Sequence, residues 1–194
     1  MPASPALHDR ARQDLQFIRE TMAASAGFTA VSGWGQVAVG CIGLAAGWAS
    51  LGQEGSWRFI LAWLAAAVLG ANIGIASTLV KAHRAGLPLL AAPIRKFVLA
   101  FAPALAAGAA LSGGLMHQHV FALLPACWLL CYGAGVIAGG AHSVPVLPVM
   151  GACFIALGVV SLLAPLAWGI PLLMIGFGAL HVIFGLYIAV RHGG

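Results

Sequence analysis

The chain has 194 residues, of which 62% are hydrophobic and 7% charged, and its net charge is +5 at pH 7. Ordinary globular domains carry about 25% charged residues, so this composition excludes a water-soluble domain and indicates an integral-membrane protein. The basic residues stand at segment ends with no interleaved aromatic patch, which argues against a nucleic-acid surface.

The strongest local signal is an absence. From Phe97 to Val190, 94 residues in a row contain no Lys, Arg, Asp or Glu. A soluble domain needs a charged skin, and lipid removes that need. The expected fold is all-α: a polytopic bundle of six transmembrane helices (residues 29–194) preceded by an amphipathic N-terminal helix at the cytoplasmic interface (residues 1–28).

In chain order, residues 5–25 come first. Leu7, Ala11, Leu15, Ile18 and Met22 repeat at helical spacing, and Asp9, Arg10, Arg12, Gln13, Asp14, Gln16 and Arg19 fill the other face. One reading lays this helix on the membrane surface. The other makes it a docking face for a protein partner or for the bundle's own end, and its mixed charges favour docking. It is not read as a secretory leader, because acidic residues interrupt it and no apolar run ends at a cleavage site.

Six apolar segments follow, at about 30–51, 57–80, 96–115, 119–140, 145–165 and 170–190. Each approaches the roughly 20 residues that a helix needs to cross the hydrocarbon core, and lipid offers no partner for open backbone groups, so all are helical. With the N-terminus inside, the cytoplasmic segments hold Arg10, Arg12, Arg19, Lys81, Arg84, Arg95, Lys96 and Arg191, leaving only Arg58 outside. That asymmetry puts both termini in the cytoplasm.

Lipid tails are as apolar as Leu, so the helices must associate through close backbone approach and polar contacts. Gly43 and Gly47, Gly70 and Gly74, Gly108 and Ser112, and Gly135 and Gly139 are small pairs at i,i+4 spacing. Pro103 and Pro125 lie inside spans three and four, where each deprives a carbonyl one turn earlier, at Leu99 and Phe121, of its usual donor. His83, His142 and His192 close three successive hairpins, a pattern that suggests three parallel two-helix units.

Polar residues inside spans are the candidate site. Counted from the cytoplasmic end at ~1.5 Å per residue, Gln36, Asn72, Tyr132, Cys153 and His181 fall in one layer. In the plainer reading each satisfies itself against a neighbour and joins two helices. In the sharper one they line a shared pocket or relay. A bis-histidine haem needs a second His at the depth of His181, and none matches. The rim trio His83, His142 and His192 is a candidate zinc set without a companion carboxylate, and Cys127 and Cys131 share a face that suits a soft metal. The expectation is no cofactor, with haem or metal as alternatives. The four cysteines lie in apolar segments, which argues against a disulfide framework. No carboxylate lies within a span and no nucleophile elbow or phosphate loop is present.

The segment LHDRARQDLQFIRETMAASAGFTAVSGWGQVAVG, the joint KAHRAGLPLL before IRKF, and the ending GFGALHVIFGLYIAVRHGG resemble a group of small six-span bacterial membrane proteins of no assigned activity. The resemblance spans nearly the whole chain. It implies a bacterial inner membrane and carries over no functional residue. The leading expectation is a non-enzymatic accessory or sensor subunit that binds a partner or ligand, with a homo-oligomer among its assemblies. The alternatives are a small-solute facilitator or channel, and a haem- or metal-carrying redox subunit.

Overall fold

The structure, a computed structural model, describes residues 10, 12–19, 31–84, 92–141 and 143–192. Among these the chain is helical and contains no strand. Residues 12–19 are helical, and each of them is exposed, Leu15 and Ile18 included. The remainder of the expected 5–25 helix lies outside the described residues apart from Arg10.

Helix α1 spans Gly33–Ala49. It starts where Ser32 caps it, the hydroxyl accepting the Gly35 N–H at 3.1 Å and so satisfying one of the donors that every helix leaves open at its start. A tight turn follows, in which Gly52 and Gly55 take φ of 70° and 74°, the left-handed region that glycine enters without a Cβ penalty. Helix α2 spans Trp57–Arg84, with Ser56 accepting the Phe59 N–H at 3.2 Å. Its 28 residues reach roughly 42 Å at ~1.5 Å per residue, so its ends project beyond a hydrocarbon core of about 30 Å.

Helix α3 is Ala92–His117 and contains Pro103. A single 3₁₀ turn, Phe121–Leu123, leads into α4, Leu124–Gly140. This corrects the expectation for Pro125. It stands in the first turn of α4, where no intrahelical donor is needed. The Phe121 carbonyl, expected to be left open, accepts the Leu124 N–H. Helix α5 is Val146–Leu163. The last rod, α6, covers residues 169–192 in three continuous pieces: α-helical Gly169–Leu173, π-helical Met174–Leu180 and α-helical His181–His192.

Five of these helices are long and apolar enough to cross a membrane: α2 to α5, with the short 3₁₀ turn counted into α4, and the rod that ends at Arg191. The expected first span, α1, has 17 residues and reaches only about 25 Å. Large apolar side chains cover the outside, with Trp48 at 76%, Leu163 at 83% and Val190 at 83% exposure. Such a surface suits lipid and not water.

The helices pack through glycine. In α1, Gly33, Gly40 and Gly43 lie against the α6 backbone at Ala189, Gly178 and Phe177, and Gly185 of α6 lies against Gly33 and Val37. The two helices therefore run antiparallel. In the α4–α5 crossing a Cβ on Gly133 would fall 2.8 Å from the Gly151 carbonyl oxygen, and one on Gly151 would fall 2.7 Å from that of Gly133. Gly135 and Gly139 take the Phe101 and Phe97 rings of α3. Of the expected small pairs only Gly74 meets nothing.

Two hairpins carry the same clasp. Trp63 of α2 donates its indole N–H to Ser50 Oγ at 3.1 Å, and Ser50 donates to Ala46 O at 2.8 Å. Trp128 of α4 donates to Ser112 Oγ at 2.8 Å, and Ser112 donates to Gly108 O at 2.6 Å. The Trp63–Ser50 clasp joins α1 to α2 and the Trp128–Ser112 clasp joins α3 to α4. No such bond links α5 to α6 among the described residues.

The antiparallel packing gathers Lys81, Arg84, Arg95, Lys96 and Arg191 at one end of the bundle and leaves Arg58 at the other. The core runs along the bundle centre through Phe59, Leu129, Met150, Phe154, Ile170, Leu173 and His181.

Candidate functional site

Tyr132 stands on α4 one residue before Gly133, where the bare glycine lets α5 approach backbone to backbone. That approach sets the Tyr132 ring 4.8 Å from the ring of Phe154 on α5. On α6, Gly176 opens the opposite side: a Cβ there would meet Leu129 Cδ2 at 2.6 Å and Phe154 Cε1 at 3.1 Å. His181 begins the α-helical turn that follows the π-helical segment. Wider π-helical turns re-aim side chains and recur at functional positions.

Tyr132 Oη and His181 Nε2 are 2.8 Å apart, and His181 Nδ1 lies 3.4 Å from the Gly176 carbonyl oxygen. A carbonyl only accepts, so Nδ1 carries the ring proton. In that tautomer Nε2 accepts the Tyr132 hydroxyl proton, and both ring nitrogens are used. The surroundings are aromatic. Phe177 stands 4.9 Å from Tyr132, Phe154 lies 5.5 Å from His181 at 81°, and Phe101 of α3 meets Tyr132 edge-on at 5.7 Å. Trp63 of α2 extends the cluster to Phe177 at 6.0 Å. His181 is 1% exposed. Edge-to-face pairs of this kind add about 0.5–1.5 kcal/mol each beyond their area. Chemically the arrangement is a clasp between α4 and α6 whose polar atoms face each other.

The rest of the expected layer is dispersed. Gln36 is half-buried at the α1–α6 crossing, beside Gly185. Asn72 is exposed on α2, and its Nδ2 donates to Val68 O of the same helix at 2.7 Å. Cys153 is half-buried on α5, one residue before Phe154, and is a free thiol. His83 is exposed at the end of α2, His142 lies outside the described residues, and the His192 side chain does as well. Among the described residues no three His, Cys, Asp or Glu side chains gather closely enough to hold an ion. Cys127 contacts the Gly108 carbonyl at 3.9 Å, and Cys41 is exposed.

Three features were not anticipated from sequence. They are the Phe154–Phe177 wall around His181, the π-helical stretch, and a groove on the outside of the bundle. Only the π-helical stretch had a legible signal, two glycines inside MIGFGAL just ahead of the sole deep histidine.

The groove runs between Ser32, at the start of α1, and the last turns of α2. Ile73, Ala76 and Val80 form its apolar wall, and Lys81 and Arg84 stand at its cation-rich end. Its volume is about 350 Å³, within the range of small-molecule pockets. It exists because α1 and α2 touch through small residues: Gly35 lies directly against the Ser77 side chain, which itself donates to Gly74 O at 3.1 Å. Lys81 Nζ reaches across to donate to Val31 O at 3.3 Å.

No family model matches the chain, and no curated protein or solved structure matches it significantly.

Proposed function

We propose that this chain is a non-enzymatic, multi-pass protein of the bacterial inner membrane that binds a membrane-borne ligand or protein partner as an accessory or sensor subunit. The reading takes α1 as a sixth span, both termini in the cytoplasm, and the N-terminal helix as a second contact surface beside the cation-rich end. The observation that carries it is the distribution of polarity. The central polar pair, Tyr132 and His181, is consumed by its own hydrogen bond, while a groove of about 350 Å³ opens outward, between α1 and α2. A bundle arranged this way presents its chemistry to what lies beside it.

The channel alternative requires Gln36, Asn72, Tyr132 and His181 to line one wet path. Gln36 and Asn72 stand apart from the pair, so the geometry gives that alternative less support.

Purification in a mild detergent tests the proposal. A protein or lipid is expected to co-elute in fixed proportion, and liposomes carrying the pure protein are expected to show no added leak to protons or small solutes. Solute flux well above empty liposomes refutes it. Single cysteines at Gln118 and His83, both exposed, in a background lacking the native cysteines, test the orientation. Membrane-impermeant thiol reagents applied to intact cells should label position 118 and not 83.

A further inference from the structure

The groove between α1 and α2 has a two-part chemistry that selects its occupant. Its wall is mostly apolar, with Ile73, Ala76 and Val80 beside the small side chains of Ser77 and Ser32, and Ala76 and Val80 are exposed on the outer side of α2. Two cations, Lys81 and Arg84, stand at one end only. From Ile73 to Arg84 the helix rises about 16 Å at ~1.5 Å per residue. One leaflet of hydrocarbon is about 15 Å deep, half of a core of about 30 Å. The apolar wall from Ile73 to Val80 covers about 10 Å of that depth at ~1.5 Å per residue, where acyl chains lie, and the cations stand just beyond it, where headgroups lie.

From this geometry we infer that the groove is a binding site for one anionic phospholipid. The acyl chain lies along Ile73, Ala76 and Val80, and the phosphate meets Arg84 and Lys81 at the cation-rich end. The inference rests on the reading of the chain as a ligand-binding membrane protein and names the ligand class of the outward-facing cavity. Charge complementarity sets the class. Basic pockets on one side of a transmembrane bundle hold anionic headgroups, and an Arg fork matches a phosphate in geometry as well as charge. A soluble phosphate fits less well, because it leaves about two turns of apolar wall uncovered.

Arg84 is exposed at the end of its helix, so Arg84→Gln removes a charge without disturbing the packing. Lys81→Gln also removes the donor to Val31 O. Arg95 and Lys96 stand at the same end, both exposed, but do not line the groove. They report general attraction to an anionic surface.

The test uses the full chain, purified in mild detergent and titrated with dioleoyl phosphatidylglycerol or dioleoyl phosphatidylcholine, with bound lipid counted by native mass spectrometry. One phosphatidylglycerol is expected to persist at concentrations where phosphatidylcholine is lost. Arg84→Gln should weaken it about fivefold, as expected for one surface cation, and the Lys81→Gln/Arg84→Gln pair by an order of magnitude or more. The Arg95→Gln/Lys96→Gln pair should weaken it less than twofold. Ala76→Phe, which fills the wall and leaves the charges, should also release the lipid, and millimolar glycerol phosphate should not displace it. Equal retention of the two lipids overturns the site. So does an equal loss from the Arg95/Lys96 pair, or displacement by glycerol phosphate. These outcomes leave the accessory-subunit reading standing, which fails separately if the reconstituted protein conducts solute.

Discussion

Replacing Gly133 with alanine puts a methyl group where two backbones meet. The added Cβ would lie 2.8 Å from the Gly151 carbonyl oxygen and 2.9 Å from the Ile155 N. Ordinary contact begins at 3.4 Å, so α4 and α5 must separate by about 0.6 Å at the crossing. Neither neighbour can rotate away, because both are main-chain atoms. A gap of that size forfeits roughly a quarter to a half of each dispersion contact along the interface, and overpacking of a tight core costs about 1–3 kcal/mol. Against this, alanine gains up to about 1 kcal/mol over glycine within a helix. The expected net loss is about 1–2 kcal/mol. The separation also reaches Tyr132, which should weaken the hydrogen bond to His181. Gly74→Ala is the matched control. A Cβ there meets nothing within 4 Å, so only the helical gain remains, and stability should hold or rise by up to about 1 kcal/mol. Both variants can be measured by reversible unfolding in mixed detergent micelles, with tryptophan fluorescence as the signal. Equal midpoints for the two variants would refute the close-approach account of this fold.

Tyr132→Phe removes the donor to His181 Nε2 and keeps the ring. It should lower stability by about 0.6–2 kcal/mol, with a changed near-ultraviolet dichroism from the aromatic cluster, and an unchanged midpoint would count against the clasp. Ser50→Ala and Ser112→Ala each leave an indole N–H unpaired, and each should destabilise by about 1–3 kcal/mol. Their fluorescence changes should report Trp63 and Trp128 separately when the other tryptophans are replaced by Phe. Asn72→Leu should leave the monomer's unfolding midpoint unchanged or raised, since among the described residues its amide bonds to its own helix. A clear loss would show that Asn72 has a partner outside the chain. Gln53 Oε1 is buried with no hydrogen-bond partner among the described residues, and such a group costs about 1–3 kcal/mol. Gln53→Met should therefore raise the midpoint, and a drop would reveal an unseen donor.

Much of the architecture was legible because its causes are local. Leu, Ile, Val and Ala runs without charge need lipid, and lipid forces helices, so the helical segments follow from composition and length alone. The cations at one end follow in the same way. Helix ends were harder. Lys81 and Arg84 belong to the end of α2, because long basic side chains reach the interface while the helix continues. Pro125 read as a break inside a span and is the start of α4, because a proline in a first turn and one in a helix interior look alike without the cap.

Depth along each helix could be counted from sequence, and two residues counted to similar depths, Tyr132 and His181, share a hydrogen bond. Rotation about each helix could not. A residue's depth follows from its number of ~1.5 Å steps, but the direction it faces depends on which neighbour the helix packs against. Only tertiary packing decided that Tyr132 and His181 face each other, that Asn72 faces outward on α2, and that Gln36 lies at the α1–α6 crossing. The physical reason is that apolar residues surround these helices on every side. With no polar face to mark the outside, hydrophobicity carries no information about rotation, and the choice falls to where glycines let two backbones touch.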